Sequence, residues 1–132
     1  MGEALILDTS FLIDLEREHN HGRPGRAISF LEARENARLY ISFTIAGEIA
    51  SGVSMSERNE WETFLGSFYL LPSTPEVSWE YGQIFQHLRK NGQLIGANDM
   101  WIAATALVHR IPVVTADITQ FQRVPGLDVR SY

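Results

Sequence analysis

Four carboxylates, Asp8, Glu48, Asp99 and Asp117, occupy settings unlike those of ordinary surface acids. Asp8 interrupts the apolar run LILDTSFLIDL and is followed at once by two hydroxyls, Thr9 and Ser10. A carboxylate in such a run is costly unless a hydrogen-bond donor or a cation meets it. Glu48 lies in a small, apolar stretch, FTIAGEIASG, and is not three residues after a Ser or Thr, so it makes no capping box. Asp99 follows Asn98 ahead of a long apolar segment, and Asp117 closes IPVVTAD. Two of these acids have simpler explanations: Asp99 can cap a helix or complement its dipole, and Asp117 can be a turn residue starting a short helix. Taken as a set they point to chemistry. Carboxylates about 4 Å apart repel by about 4 kcal/mol at an effective dielectric near 20, which raises their pKa values unless a cation neutralises them. Oxygen-only donors of high charge suit a hard divalent ion, Mg²⁺ or Mn²⁺, rather than zinc. Such an ion serves phosphoryl chemistry, generating a hydroxide nucleophile and stabilising charge on phosphate.

That reading requires four distant segments to meet. Ala4 to Asp8 reads as a short buried strand and Ser10 to Arg17 as a helix directly after it; residues 19 to 25, HNHGRPG, form a loop of turn residues. A helix over Arg26 to Ala37, a strand over Arg38 to Ser42 and a short helix carrying Glu48 follow. Ser54 to Glu57 reads as a loop, Arg58 to Gly66 as an amphipathic helix, and Tyr69 to Leu71 as a strand closed by Pro72. Pro75 suits the first turn of a helix running to Asn91, with Val77, Tyr81, Ile84, Phe85 and Leu88 as its apolar stripe. Asp99 to His109 is apolar almost all round and therefore buried. IPVVTAD gives a further strand and LDVRSY a short last one. Strands alternating with helices indicate an α/β parallel sheet covered on both faces, and ligands of such sheets bind at the carboxyl ends of the strands. Asp8 and Asp117 end strands, Glu48 lies about one turn into a helix after a strand, and Asp99 opens the helix feeding the next. The layout thus predicts convergence of all four at one sheet edge.

Composition narrows the class. A chain of 132 residues, 45% hydrophobic and 20% charged, suits one globular domain over 1–132. There is no cysteine, so neither disulfides nor thiolate sites arise. Glu3 and Asp8 argue against a signal peptide, and Ile6 replaces the hydroxyl of a myristoylation motif. No apolar run approaches the roughly 18 residues of a membrane span, so a soluble cytoplasmic protein is expected. The net charge of −5 argues against a broad electrostatic grip on nucleic acid, an objection that bound metal would answer locally. His19 and His21 sit in a loop without partner ligands, Asp14 reads as a solvated helix acid, and Arg17, Arg23 and Arg26 surround that loop within reach of a phosphate. Trp61, Phe64 and Leu65 form a stripe suited to core packing, a dimer face or a partner groove.

Three blocks in order, LILDTSFLIDL, TIAGEI and IGANDMWIAATALVHRIPVVTADITQFQRVPGLDV, resemble PIN-domain ribonucleases, and more closely the VapC toxins of bacterial and archaeal toxin–antitoxin pairs. The resemblance runs from Ala4 to Val129. It implies a PIN fold, a parallel sheet of about five strands flanked by helices on both faces, with Asp8, Glu48, Asp99 and Asp117 as the four acids of a metal site. It implies Mg²⁺-dependent hydrolysis of RNA phosphodiesters, with Mn²⁺ as a plausible substitute, leaving a 5′-phosphate and a 3′-hydroxyl. Thr9 or Ser10 and Thr115 are similar to hydroxyls that line the site, though satisfying strand-end backbone groups is an equal alternative; Asn98 is a further candidate donor. The expected partners are RNA, a VapB-type antitoxin whose basic tail enters the acidic site, and a second copy of the chain in a homodimer. Two rivals remain. A phosphoaspartyl enzyme needs an acid at position 10 and a downstream lysine, where the chain has Ser10 and only Lys90. A catalytically silent RNA-binding or interaction module on the same scaffold would not require a complete acidic set.

Overall fold

The computed structural model describes residues 2–52 and 55–132; Ser54, at the start of the expected loop to Glu57, lies outside them. β1 (Ala4–Leu7) is the central strand of a five-stranded sheet with order β3-β2-β1-β4-β5, where β2 is Arg38–Ser42, β3 Tyr69–Leu71, β4 Val113–Val114 and β5 Val129–Arg130. Every pairing is parallel, with Ile6 opposite Tyr40 on one side and Val113 on the other. A strand covered on both faces should be apolar at consecutive positions rather than at alternate ones. Leu5, Ile6 and Leu7 are all fully buried, as that requires.

Seven helices complete the described fold: α1 (Thr9–Asn20), α2 (Arg26–Glu32), α3 (Phe43–Ala50), α4 (Arg58–Leu65), α5 (Pro75–Lys90), α6 (Ala97–His109) and α7 (Ile118–Phe121). α5 packs chiefly on α6, while α1 meets α2 and α3, and α3 meets α4, which groups the helices into two layers about the sheet. Local chemistry sets the helix starts. Ser42 accepts a hydrogen bond from the Ile45 N–H at 3.3 Å to begin α3, and Thr74 accepts one from Val77 at 3.2 Å beside Pro75 at the start of α5. α2 is started from outside: the Glu18 carboxylate of α1 accepts from the N–H groups of Gly25, Ala27 and Ile28 at 2.7–3.0 Å. α6 buries Met100, Ile102, Ala103, Ala104, Thr105 and Ala106, as its nearly all-round apolar sequence requires. Trp61, Phe64 and Leu65 pack partly buried against the core, and the Trp61 indole N–H donates to the Ala46 carbonyl at 3.0 Å.

Helix lengths differ from expectation by more than one residue in three places. α6 begins at Ala97 rather than Asp99, after an N-cap at Gly96. α1 continues into the expected loop as far as Asn20, with Arg17 and His19 complementing its negative end. α2 stops at Glu32 rather than Ala37. There Arg34 turns back to stack on Phe30 (3.7 Å to the ring centre) and to pair with Glu3 at 3.1 Å, so a tertiary contact overrides helix propensity. Among the described residues no helix is long and apolar enough to cross a membrane.

Candidate active site

The strand order reverses between β1, which leads outward to β2, and β4, which leads to β5. A crevice at the carboxyl ends of strands on either side of such a switch point is where sheets of this type bind ligands. Asp8 follows β1 there, held by its N–H to the Val114 carbonyl at 3.0 Å, and is only 6% exposed. Its Oδ2 accepts from Thr115 at 2.8 Å and from Ser10 at 3.1 Å. Both bonds fall on one oxygen, which leaves Oδ1 available to a cation.

The hydroxyls serve both roles left open by the sequence. Thr115 donates to Asp8 while accepting from the Asp117 N–H at 2.9 Å; Ser10 donates to Asp8 while accepting from the Ala116 N–H at 3.1 Å. They therefore orient the carboxylate and satisfy the backbone that follows β4. Thr9 faces the other way and donates to Glu48 Oε1 at 3.1 Å, tying α1 to α3 across the crevice.

Glu48 is half-buried on α3. Burial raises its pKa, the Asp8 charge raises it further, and the Thr9 hydroxyl and Asn98 amide oppose the rise. Asp99 is pushed up to about 6, first by burial and then by the charges of Asp8, Asp117 and Glu48. Asp99 thus senses all three other acids, the convergence that the order of segments predicts. It lies in the first turn of α6, one turn past an N-cap at Gly96, so it complements the dipole without capping. Asp117 is the N-cap residue of α7 but makes no side-chain cap bond. The simpler roles therefore hold in position, Asp99 at the positive end of α6 and Asp117 at the start of a short helix, while neither side chain is spent on a cap bond. Among the described residues no three His, Asp or Glu side chains stand close enough together to hold a metal ion as they are placed. Open carboxylates suit Mg²⁺, which keeps several waters and is held by a few acids, better than a closed structural site. The donor set fits a hard divalent ion: oxygen only, one free oxygen on a buried acid, and one carboxylate strained by its neighbours.

Other sequence candidates settle elsewhere. His19 and His21 are exposed and join no metal-binding group among the described residues. Asp14 is not simply solvated; it accepts from the Tyr132 hydroxyl at 2.5 Å and pairs with Arg17 at 3.6 Å. Aromatic residues next to Glu48 escape a sequence reading. Phe43 and Trp101 flank it from α3 and α6, and the only signal for them is the one-turn spacing from Asn98 to Trp101.

The PIN domain family model matches residues 5–127. A ribonuclease VapC of Rickettsia bellii is 32% identical, over 96% of this chain and 94% of that protein. A ribonuclease VapC1 of Haemophilus influenzae is 29% identical, over 92% of each. Among solved structures, VapBC2 of Rickettsia felis, bound to a DNA fragment from its promoter, superposes with a TM-score of 0.82 at 26% identity, covering 98% of both chains. FitAcB of Neisseria gonorrhoeae gives 0.73 at 26%, covering 95% of both. The family model and the 32% identity over nearly the full length agree with the fold: the chain belongs to the PIN-domain family, within its VapC branch.

Proposed function

We propose that the chain is a divalent-metal-dependent endoribonuclease, the toxin of a VapBC-type pair, and that residues 1–132 act as one catalytic domain. The observation that carries this reading is the position of Asp99, whose carboxyl is raised by Asp8, Asp117 and Glu48 together. Asp8, Glu48, Asp99 and Asp117 hold the metal, with Mg²⁺ the natural ion and Mn²⁺ able to replace it. When bound, the ion supplies an activated water and neutralises charge on the scissile phosphate. The protein contributes positioning. Thr115 and Ser10 fix the Asp8 carboxylate through Oδ2, so its remaining oxygen needs no search over rotamers to meet the ion. Thr9 and Asn98 do the same for Glu48. The products are a 5′-phosphate and a 3′-hydroxyl.

The partners follow from charge and from kinship. The VapBC structures similar to this chain are toxin–antitoxin complexes, and a VapB-type antitoxin with a basic tail suits a chain of net charge −5. The homodimer belongs to the same reading, and exposed Tyr69 and Leu70 lie on the edge strand β3, where a second copy can pack. The place of action is the cytoplasm, where the RNA is.

Asp99→Asn is the decisive variant. It should abolish RNA cleavage in Mg²⁺ and in Mn²⁺ while circular dichroism reports an unchanged fold, and a chelator should silence the wild-type protein reversibly. Cleavage at the wild-type rate by Asp99→Asn would remove the metal-site assignment.

A further inference from the structure

Beside Glu48, on the side away from Thr9, an open cleft of about 400 Å³ is lined by Phe43, Thr44, Gly47, Ser51, Asn98 and Trp101 as well as Glu48 itself. Two of these residues cost the fold something and return nothing to it. Thr44 Oγ1 is the one buried side-chain polar atom without a hydrogen-bond partner among the described residues. A buried hydroxyl in that state carries its full desolvation penalty. Gly47 sits inside α3, where glycine is disfavoured relative to alanine. No crowding demands it: a Cβ built on Gly47 meets nothing within 4 Å, and its backbone is not left-handed. Both costs fall in one cleft, one on its wall and one keeping its floor clear.

We propose that this cleft is a binding subsite for one unstacked nucleobase of single-stranded RNA, next to the scissile phosphate. The inference rests on the ribonuclease reading above. The lining holds no Lys, Arg or His, and its one carboxylate, Glu48, is engaged with the metal, so the cleft itself offers a phosphate no partner. A neutral planar group needs none. Trp101 supplies the platform. Its indole stacks on Tyr81, with ring centres 4.0 Å apart and planes 22° apart, and meets Phe43 edge-on at 5.8 Å, so it is braced from within the protein. Proteins that bind single strands use such braced aromatics to stack bases. Asn98 and Thr44 provide the polar groups that can read the base edge. Threonine in a helix populates two χ1 rotamers, so the Thr44 hydroxyl can turn toward a ligand that offers a partner.

The test uses a short single-stranded oligoribonucleotide that the wild-type protein cuts with Mg²⁺, and the same strand made abasic at one position at a time near the cut. One abasic position should raise KM about tenfold with kcat retained, the size expected for losing one stacked base. Gly47→Leu, which fills the cleft, should raise KM by the same factor, leave Mg²⁺ binding by calorimetry unchanged, and melt no lower than wild type. In Gly47→Leu that abasic position should cost nothing further. Thr44→Val should also melt at or above the wild-type temperature yet raise KM several-fold, and Thr44→Ser should restore it. An unchanged KM in Gly47→Leu, or an abasic penalty that persists in it, overturns the subsite. So does a change in the sedimentation of free Gly47→Leu, which would assign the cleft to a second copy of the chain. If the wild-type protein cuts no RNA, the catalytic reading fails separately. Tryptophan fluorescence then decides the subsite: quenching by the oligoribonucleotide that Gly47→Leu abolishes retains it, and no quenching removes it.

Discussion

At the residue scale, the four acids stand in unequal states, and the differences are measurable. Asp99 is raised from 3.8 to about 6 by burial and by three like charges. Between those values the folded protein binds more protons than the unfolded chain, so this carboxyl makes the metal-free protein less stable as pH rises through about 6. Metal-free Asp99→Asn should therefore exceed the wild type at pH 7.5 by on the order of 1 kcal/mol, a figure reduced for the partial exposure of the group. The advantage should disappear towards pH 4, and urea denaturation across that range checks it. Divalent affinity should fall over the same interval, because proton and metal compete for the same carboxylate. Asp8 differs in kind. Its two donors share Oδ2, so Asp8→Asn keeps an oxygen for both and removes a charge that Glu48 and Asp99 feel. Without metal it should unfold at a denaturant concentration equal to or above that of the wild type. Asp8→Ala, by contrast, strands the Ser10 and Thr115 donors and should cost about 1–3 kcal/mol.

At the scale of elements, the Glu18 carboxylate is what α1 contributes to α2. Burial works against its charge, but the N–H groups of Ile28, Ala27 and Gly25 win and hold its pKa below the usual carboxylate range. That contribution is present above the unfolded pKa and is lost as pH falls through the lowered folded value. Gly25 permits this close approach: a Cβ there would lie 2.6 Å from Glu18 Cδ, so the carboxylate would have to move off its three N–H donors. Gly25→Ala should lower the melting temperature by roughly 5 °C, the effect of a lost cap in a domain of this size, as read by differential scanning calorimetry. Elements with strong local signals are legible in the sequence: β2 and β3 fall on the expected residues, and α5 begins at Pro75 as expected. What is not legible depends on tertiary partners. IPVVTAD reads as one strand, yet only Val113 and Val114 are strand. The residues beyond them leave the ladder to carry Thr115 and Asp117 into the site. The acids themselves are readable because a charge in an apolar run demands a partner. Thr44, Gly47 and Trp101 are not, because a small residue or an aromatic in a buried helix looks like packing until the empty space beside it is seen.

At the scale of the molecule, the last residue reaches back to the first helix. The Tyr132 ring meets Phe11 edge-on at 4.6 Å, and its hydroxyl donates to Asp14. Burial, and then that bond, raise its phenol pKa. Tyr132→Phe should lower stability by about 1 kcal/mol by chemical denaturation without abolishing cleavage, because Asp14 lies outside the acidic set. The sheet order also bears on how the chain is made. β1 emerges first from a ribosome, but the strand that completes the crevice beside it is β4, and Asp8 meets Thr115 across 107 positions of sequence. Until that strand has been made, the first acid lacks its Thr115 partner and the company of Asp117. Chain order alone thus keeps an RNA-cutting design of this kind without its full acidic set until β4 has been made and has docked beside β1.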